Sequence, residues 1–191
     1  MASEEIVSPV MAVLSISVVF LVLFTMIITE LPFADTLRLM VHEHTQKAML
    51  LIAMVSTASS LYYSEVVGFT PCDFCWYQRI AMYPLAILLV VALITRSRIE
   101  TRYVVALAAI GLLLSIYHYQ LEMFPQQAEV CSGIVSCTSR YVEEFGFVSI
   151  PFMAGSGFLT ILLLQVSEWR VDHLYRRWSD TDVTAEEAAA S

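Results

Sequence analysis

The sequence predicts an all-α integral membrane protein, a helical bundle with five spans, and three observations carry that prediction. Of its 191 residues, 58% are hydrophobic and only 15% are charged, against about 25% charged in an ordinary soluble domain. The mean hydropathy is +0.71. The few charges cluster, leaving long uncharged runs, and a helix crossing lipid cannot easily hold a charge at its centre. A net charge of −8 with Lys47 as the single lysine leaves no polybasic surface for nucleic acid or anionic lipid. Six glycines and six prolines are too few for a collagen-like rod or a disordered chain.

The uncharged runs are Ile6 to Thr29, Ala48 to Ser64, Ile80 to Thr95, Tyr103 to Leu121 and Phe145 to Ser167, of 24, 17, 16, 19 and 23 residues. A spanning helix needs ~20, within ~17–25. The second run gains length from Lys47 and Glu65 snorkelling at its ends, and the third by starting near Asp73 or Phe74. The first run reads as a retained helix, not a signal peptide. Ser3-Glu4-Glu5 precedes it without a basic residue, its apolar stretch exceeds the ~7–15 residues of a signal core, and no small-residue cleavage site follows Thr29.

Between the spans, Glu30 to Lys47 has room for a short amphipathic helix around Thr36 to Val41. Arg96 to Arg102 is a tight basic turn, and Glu122 to Glu144 is the sizeable extramembrane loop. Pro151 behind Ser149 marks the opening turn of the fifth helix, where a missing N–H costs nothing. The acidic, Ala-rich tail beyond Trp178 is expected to be disordered. The chain therefore divides into residues 1–47 (first helix and loop), 48–168 (a four-helix bundle) and 169–191 (tail).

Orientation follows from the basic residues. With the N-terminus outside, Arg38, Lys47, Arg96, Arg98, Arg102, Arg170, Arg176 and Arg177 are cytoplasmic, eight of the ten, and only Arg79 and Arg140 lie outside. The C-terminus is then cytoplasmic and the protein a multi-pass component of the plasma membrane. The same assignment puts all four cysteines outside, where disulfides persist.

Pro71-Cys72-Asp73-Phe74-Cys75-Trp76-Tyr77-Gln78-Arg79 is the most informative stretch. Two cysteines three apart can close a small disulfide ring, and a helix N-terminus stabilises a thiolate there. Arg79 follows Cys75 by four residues, on the same helix face and ~6 Å deeper. A guanidinium at that depth can stabilise a thiolate and donate to a carbonyl oxygen at the lipid boundary. A dithiol with such a cation points to a lipid-soluble electron acceptor. The second pair, in Cys131-Ser132-Gly133-Ile134-Val135-Ser136-Cys137, lies in a polar loop open to a protein partner. Thiol–disulfide exchange can carry electrons from an external dithiol to the loop pair and on to the membrane pair.

Other readings of these residues exist. Two structural disulfides in a membrane scaffold or binding protein account for four cysteines without chemistry. A four-cysteine zinc site fits the first spacing but not the second, so no metal is expected. Arg79 alone would read as an interfacial snorkelling residue; its register with Cys75 sets it apart. His118, between Tyr117 and Tyr119, falls at the depth of a quinone head, although such a histidine is more often part of an interfacial belt. His42 and His44 read as solvated loop residues, and Tyr62, Tyr63, Trp76 and Tyr77 as interfacial anchors. Glu122, Glu129, Glu143 and Glu144 read as an acidic rim.

Ser60-Leu61-Tyr62-Tyr63-Ser64-Glu65, the Pro71 to Arg79 stretch and Met82-Tyr83-Pro84, followed by Ser115 to Tyr119, Cys131-Ser132-Gly133 and Phe147 to Phe152, together resemble the DsbB family of disulfide bond formation proteins, especially its shorter BdbC-type members. The resemblance covers about Ala48 to Ser167. It implies a four-helix bundle that oxidises a thioredoxin-like, DsbA- or BdbD-type donor outside the membrane and passes two electrons to a quinone, ubiquinone or menaquinone. By motif, Cys75 is the cysteine next to the quinone, with Arg79 contacting a ring oxygen. Cys72 exchanges with the loop pair, Cys131 takes the mixed disulfide with the partner, and Cys137 shuttles to Cys72. His118 carries over to the quinone site. Vitamin-K-epoxide-reductase-type proteins join similar parts, but there the loop cysteines precede the membrane dithiol. The departure from the family is the extra first helix with its loop to Lys47, expected to be a topogenic anchor.

Overall fold

The structure is a computed structural model that describes the backbone of residues 4–28, 35–126 and 136–190, and within them the side chains of residues 6–28, 43–126 and 136–173. Five helices follow in order: α1 (Glu4–Ile28), α2 (Asp35–Leu61), α3 (Asp73–Ile94), α4 (Thr101–Met123) and α5 (Ile150–Ala190). All five contain stretches long and apolar enough to cross a membrane. Among the described residues there is no strand, and only an isolated bridge joins Glu144 and Val148.

Two boundaries differ from the sequence reading. Helix α2 is continuous from Asp35, with no separate short helix before it. Nothing between Asp35 and Lys47 breaks a helix, since the charges there end the lipid-compatible run without ending the hydrogen-bond ladder. The last helix begins at Ile150, in the opening turn that Pro151 marks; the uncharged run starts earlier, but Phe145 and Gly146 take positive φ values of 54° and 77° in a turn closed by Glu144 and Val148. Its backbone continues to Ala190, past Trp178 where disorder was expected; the alanines and glutamates there are strong helix formers.

Helices α2, α3, α4 and α5 pack in a ring, each against the next, with α5 closing on α2. Met49, Ala53, Met82, Leu85, Val104 and Phe158 lie in their shared core. Gly111 is what lets α4 approach α5: a Cβ there would sit 2.2 Å from the ring of Phe158, itself fully buried. Small residues at such crossings are the usual means of packing helices in lipid. Helix α1 stands outside the ring against α5, burying Ser8, Ala12 and Val22 on one stripe while Val13, Phe20 and Phe24 stay exposed. It is pinned at one end, where Ser8 Oγ donates to Glu144 Oε1 over 2.7 Å.

Opposite ends of the bundle are fastened differently. At one, the turn after α3 is held by the Gln46 side chain, which donates to Ser97 O and accepts from Ile99 N, and by an Arg98–Glu168 ion pair. At the other, α2 passes into a π-helical turn, Tyr62–Val66. There the rings of Tyr63, Phe69 and Tyr141 stack in series at 5.9 and 4.6 Å, tying this turn to the loop that precedes α5. The cysteines gather at this second end.

Candidate redox site

Helix α3 positions the dithiol. Cys72 is its N-cap in extended conformation and Cys75 lies in its first turn, which brings the two sulfurs to 3.1 Å as free thiols. Cys72 is buried and Cys75 partly so. The Cys72 sulfur also meets His118 Nε2 at 3.5 Å. On the other side of the imidazole, Nδ1 is 3.4 Å from the Gln78 amide nitrogen. Nδ1 accepts in the neutral ring when the amide nitrogen faces it and donates in the imidazolium when the amide oxygen faces it; in both, Nε2 carries the proton that points at Cys72. The hydrogen bond from Cys75, foremost, and then the hydrogen bond and charge of His118 outweigh burial and hold the Cys72 thiol down at about 4.

Sequence reasoning places His118 beside an acceptor; the structure places it on the sulfur of Cys72, against the ring of Phe74 at 5.7 Å. Arg79 is set by contacts that the sequence did not reveal. Its Nε and Nη2 donate to Ser60 Oγ and Ser60 O, both at 3.0 Å, and its guanidinium lies 5.1 Å over the Trp76 ring. Tyr83 donates to the same Ser60 hydroxyl. Of the five N–H donors of a guanidinium, two are thereby engaged with Ser60.

Cys137 is in a disulfide and 1% exposed. It shares one buried cluster with Cys72, Phe74 and Leu121, and Cys75 packs on the edge of that cluster. Cys131 lies outside the described residues. The segment around Cys137 is fastened to the end of α4 by Arg140, which donates to Glu122 O and Met123 Sδ and pairs with Glu143. Glu122 belongs to no solvated rim. It is 5% exposed, with Oε2 unpartnered within the protein, in a small cavity shared with Cys72, Cys75 and His118. The atoms of Cys72, Cys75 and His118 that could ligate a metal lie within 4.8 Å of one another, a three-ligand set for a thiophilic cation. A site using all four cysteine thiolates conflicts with the disulfide at Cys137.

On the side of Cys75 away from that small cavity lies a larger one of about 330 Å³, within the range of small-molecule sites. Cys75, Gln78, Arg79, Ser60 and Tyr63 line it near the dithiol, and mostly apolar residues of α1, α2, α3 and α5, with Ser15, Ser56, Ser156 and Thr160 among them, line the rest. Of the paired cysteines of α3, Cys75 alone reaches it. His118 does not.

Comparison with known proteins gives this geometry a context. The family described as "Disulfide bond formation protein DsbB" matches residues 43–167. A "Probable disulfide formation protein" of Oceanobacillus iheyensis is 45% identical over 117 residues, covering 60% of this chain and 81% of that protein. A "Disulfide bond formation protein C" of Bacillus subtilis is 39% identical over 114 residues, covering 59% and 83%. No solved structure gives a significant match.

Proposed function

The chain belongs to the DsbB family of disulfide bond formation proteins, and on that premise we propose that this membrane oxidoreductase reoxidises an extracytoplasmic thioredoxin-like dithiol protein and passes the electrons through its two cysteine pairs to a membrane quinone. The observation that carries this reading is the position of the Cys72–Cys75 dithiol, with buried Cys137 against one side and an apolar cavity bearing Arg79 on the other.

In this mechanism a partner thiolate attacks Cys131, breaking its bond to Cys137, and the second partner thiol resolves the mixed disulfide. The partner leaves oxidised and the loop pair is reduced. The Cys137 thiolate then attacks Cys72 of a Cys72–Cys75 disulfide and releases Cys75 as a thiolate. Cys131 attacks Cys137, which restores the loop disulfide and leaves Cys72 and Cys75 reduced. His118 holds a proton against Cys72, favouring thiolate as the leaving form.

The cavity fits a quinone on its own chemistry: it is apolar, and its polar end presents a thiol and a guanidinium with donors beyond those given to Ser60. A quinone bound there supplies the acceptor for two electrons and two protons. The chain's part is to aim Arg79 by way of Ser60, to hold Cys75 at the cavity wall, and to keep Cys72 on the partner's side. All four cysteines face outside on this reading, as the distribution of Lys and Arg implies.

The test is incubation of the purified protein with a reduced thioredoxin-fold donor while quinone absorbance is followed. Wild type turns over. Cys75→Ser abolishes quinone reduction, and a donor lacking its second cysteine accumulates as a mixed disulfide with Cys131, displacing Cys137 as the thiolate. A Cys75→Ser protein that still reduces quinone, or cytoplasmic-side labelling of Cys72, refutes the reading. A scaffold with structural disulfides would reduce no quinone, and would tolerate Cys75→Ser or simply lose stability.

A further inference from the structure

We propose that α1, rather than serving as an anchor alone, is a wall of the acceptor site, and that the seam between α1 and α2 receives the isoprenoid tail of the quinone; this rests on the quinone reading above. Helix α1 lies wholly outside the family-matched residues 43–167. It nevertheless contributes Met11, Leu14, Ser15 and Val18 to the cavity that Cys75 and Arg79 line. Their spacing is one face of a helix. That face adjoins the stripe of Ser8, Ala12 and Val22 buried in packing, with Ser15 falling within the stripe, so α1 turns one edge of its packed face to the cavity.

The lining of the seam specifies an amphiphile. From Ser60, at the Arg79 end, to Leu51 the cavity follows nine residues of α2, or ~14 Å at 1.5 Å per residue. Most hydroxyls along the way are spent on their own helices: Ser15 donates to Ala12 O, Ser59 to Val55 O, Ser156 to Met153 O and Thr160 to Ser156 O, at 2.7–2.8 Å, while Ser56 lines the cavity without such a bond. Such back-bonded hydroxyls need nothing from a ligand. The groups able to hold a polar head therefore concentrate near Cys75 and Arg79, and the remainder offers apolar contact to a chain. The seam is held in register at its head end, where Ser59 Oγ meets Met11 Sδ at 3.4 Å and Ser8 holds Glu144.

The experiment uses the full chain in lipid nanodiscs and two acceptors with one ring, a long-tailed isoprenoid quinone and its tailless analogue. A third probe is the long-tailed quinone with an aryl azide at the tail end, photolysed and mapped by peptide mass spectrometry. The expected adducts fall on the face of α1 between Met11 and Val18 and on α2 near Leu51 to Val55. Val18→Phe, which puts bulk into the seam, raises KM for the tailed quinone about tenfold or more, the scale on which apolar pockets discriminate small changes of bulk. The rise in KM for the tailless analogue is smaller than for the tailed quinone. Val13→Phe, on the exposed face of α1, changes neither. Should Val18→Phe not fold, Met11→Ala tests the same wall by removing atoms and is expected to reduce the preference for the tailed quinone. Adducts absent from α1 in a protein that turns over, or Val18 and Val13 variants that behave alike, overturn the inference while leaving the quinone reading in place. A wild-type protein that reduces neither acceptor refutes that reading, and the role of α1 falls with it.

Discussion

Replacing His118 by alanine isolates one contribution to the acidity of Cys72. In the folded protein that thiol is held down at about 4 from an ordinary value near 9, with the Cys75 hydrogen bond as the largest cause and His118 contributing a hydrogen bond and charge. A hydrogen bond to a charged group is worth ~1.5–3 kcal/mol; at ~1.4 kcal/mol per pH unit, losing His118 raises the Cys72 midpoint by roughly one to two units. The sign follows from thiolate being the form His118 favours. Wild-type reduced protein keeps the thiolate as pH falls to about 5 and loses it through pH 4, whereas His118→Ala loses it between roughly pH 5 and 6. At pH 7 both are ionised. The variant therefore shows little defect in thiolate population at neutral pH and a clear one in mild acid. Thiolate ultraviolet absorbance of the reduced protein, titrated in a Cys75→Ser background as well as in the intact dithiol, measures the midpoint. An unmoved or lowered midpoint in His118→Ala with the dithiol intact refutes the assignment. Gln78→Leu, which removes the group that orients the imidazole, should move the midpoint in the same direction by less.

Three further outcomes follow from the packing around the site. Arg79→Gln should raise KM for the quinone by ~10- to 100-fold, the equivalent of one lost charged hydrogen bond, with donor KM unaltered in steady-state kinetics; an unchanged quinone KM removes Arg79 from the acceptor site. Gly111→Ala drives a methyl group into the buried Phe158 ring and should cost ~1–3 kcal/mol, seen as a lower Tm in detergent, while an undiminished Tm would contradict the close α4–α5 approach. Arg140→Ala releases the loop from the end of α4 and should slow disulfide transfer from the loop pair to Cys72 in rapid-quench thiol trapping. Transfer at the wild-type rate would show that Arg140 does not position Cys137.

The sequence disclosed features that depend on one helix at a time. Charges excluded from lipid marked all five helices, and the four-residue spacing of Cys75 and Arg79 put both on one face of α3, where both line the large cavity. Depth along a helix is legible in this way; azimuth toward a neighbour is not. His118 lies at the depth of the dithiol, but its direction is fixed by how α4 packs on α3, and it points to sulfur. The same holds for Ser60, which reaches Arg79 from α2, and for Glu122, whose burial depends on the loop folded over it. Tyr63 looked like an interfacial anchor because a ring beside a charge reads that way locally. Its stack with Phe69 and Tyr141 joins residues 78 apart, a relation no local pattern contains.

The two thiols of α3 differ because the helix begins between them. Cys72, as N-cap, lies outside the helical turn and joins the cluster with Cys137; Cys75, inside it, turns its other side to the large cavity. In the proposed reaction this division keeps the loop pair and the quinone on separate sulfurs, so that electrons cross from one to the other only through the dithiol. It also predicts an asymmetry in trapping. With Cys75→Ser, the remaining Cys72 thiolate should attack Cys137 of the intact loop disulfide, release Cys131 as a thiolate and leave a stable Cys72–Cys137 disulfide, which peptide mapping under non-reducing conditions should recover. With Cys72→Ser, the Cys75–Cys137 disulfide should form at least tenfold less, because Cys75 only borders the cluster that holds Cys137, and misplacement of reacting atoms by ~1 Å can cost about a hundredfold. Equal yields from the two variants would mean that the sulfurs are interchangeable, and the separation of partner and acceptor would then have to lie elsewhere than in the N-cap.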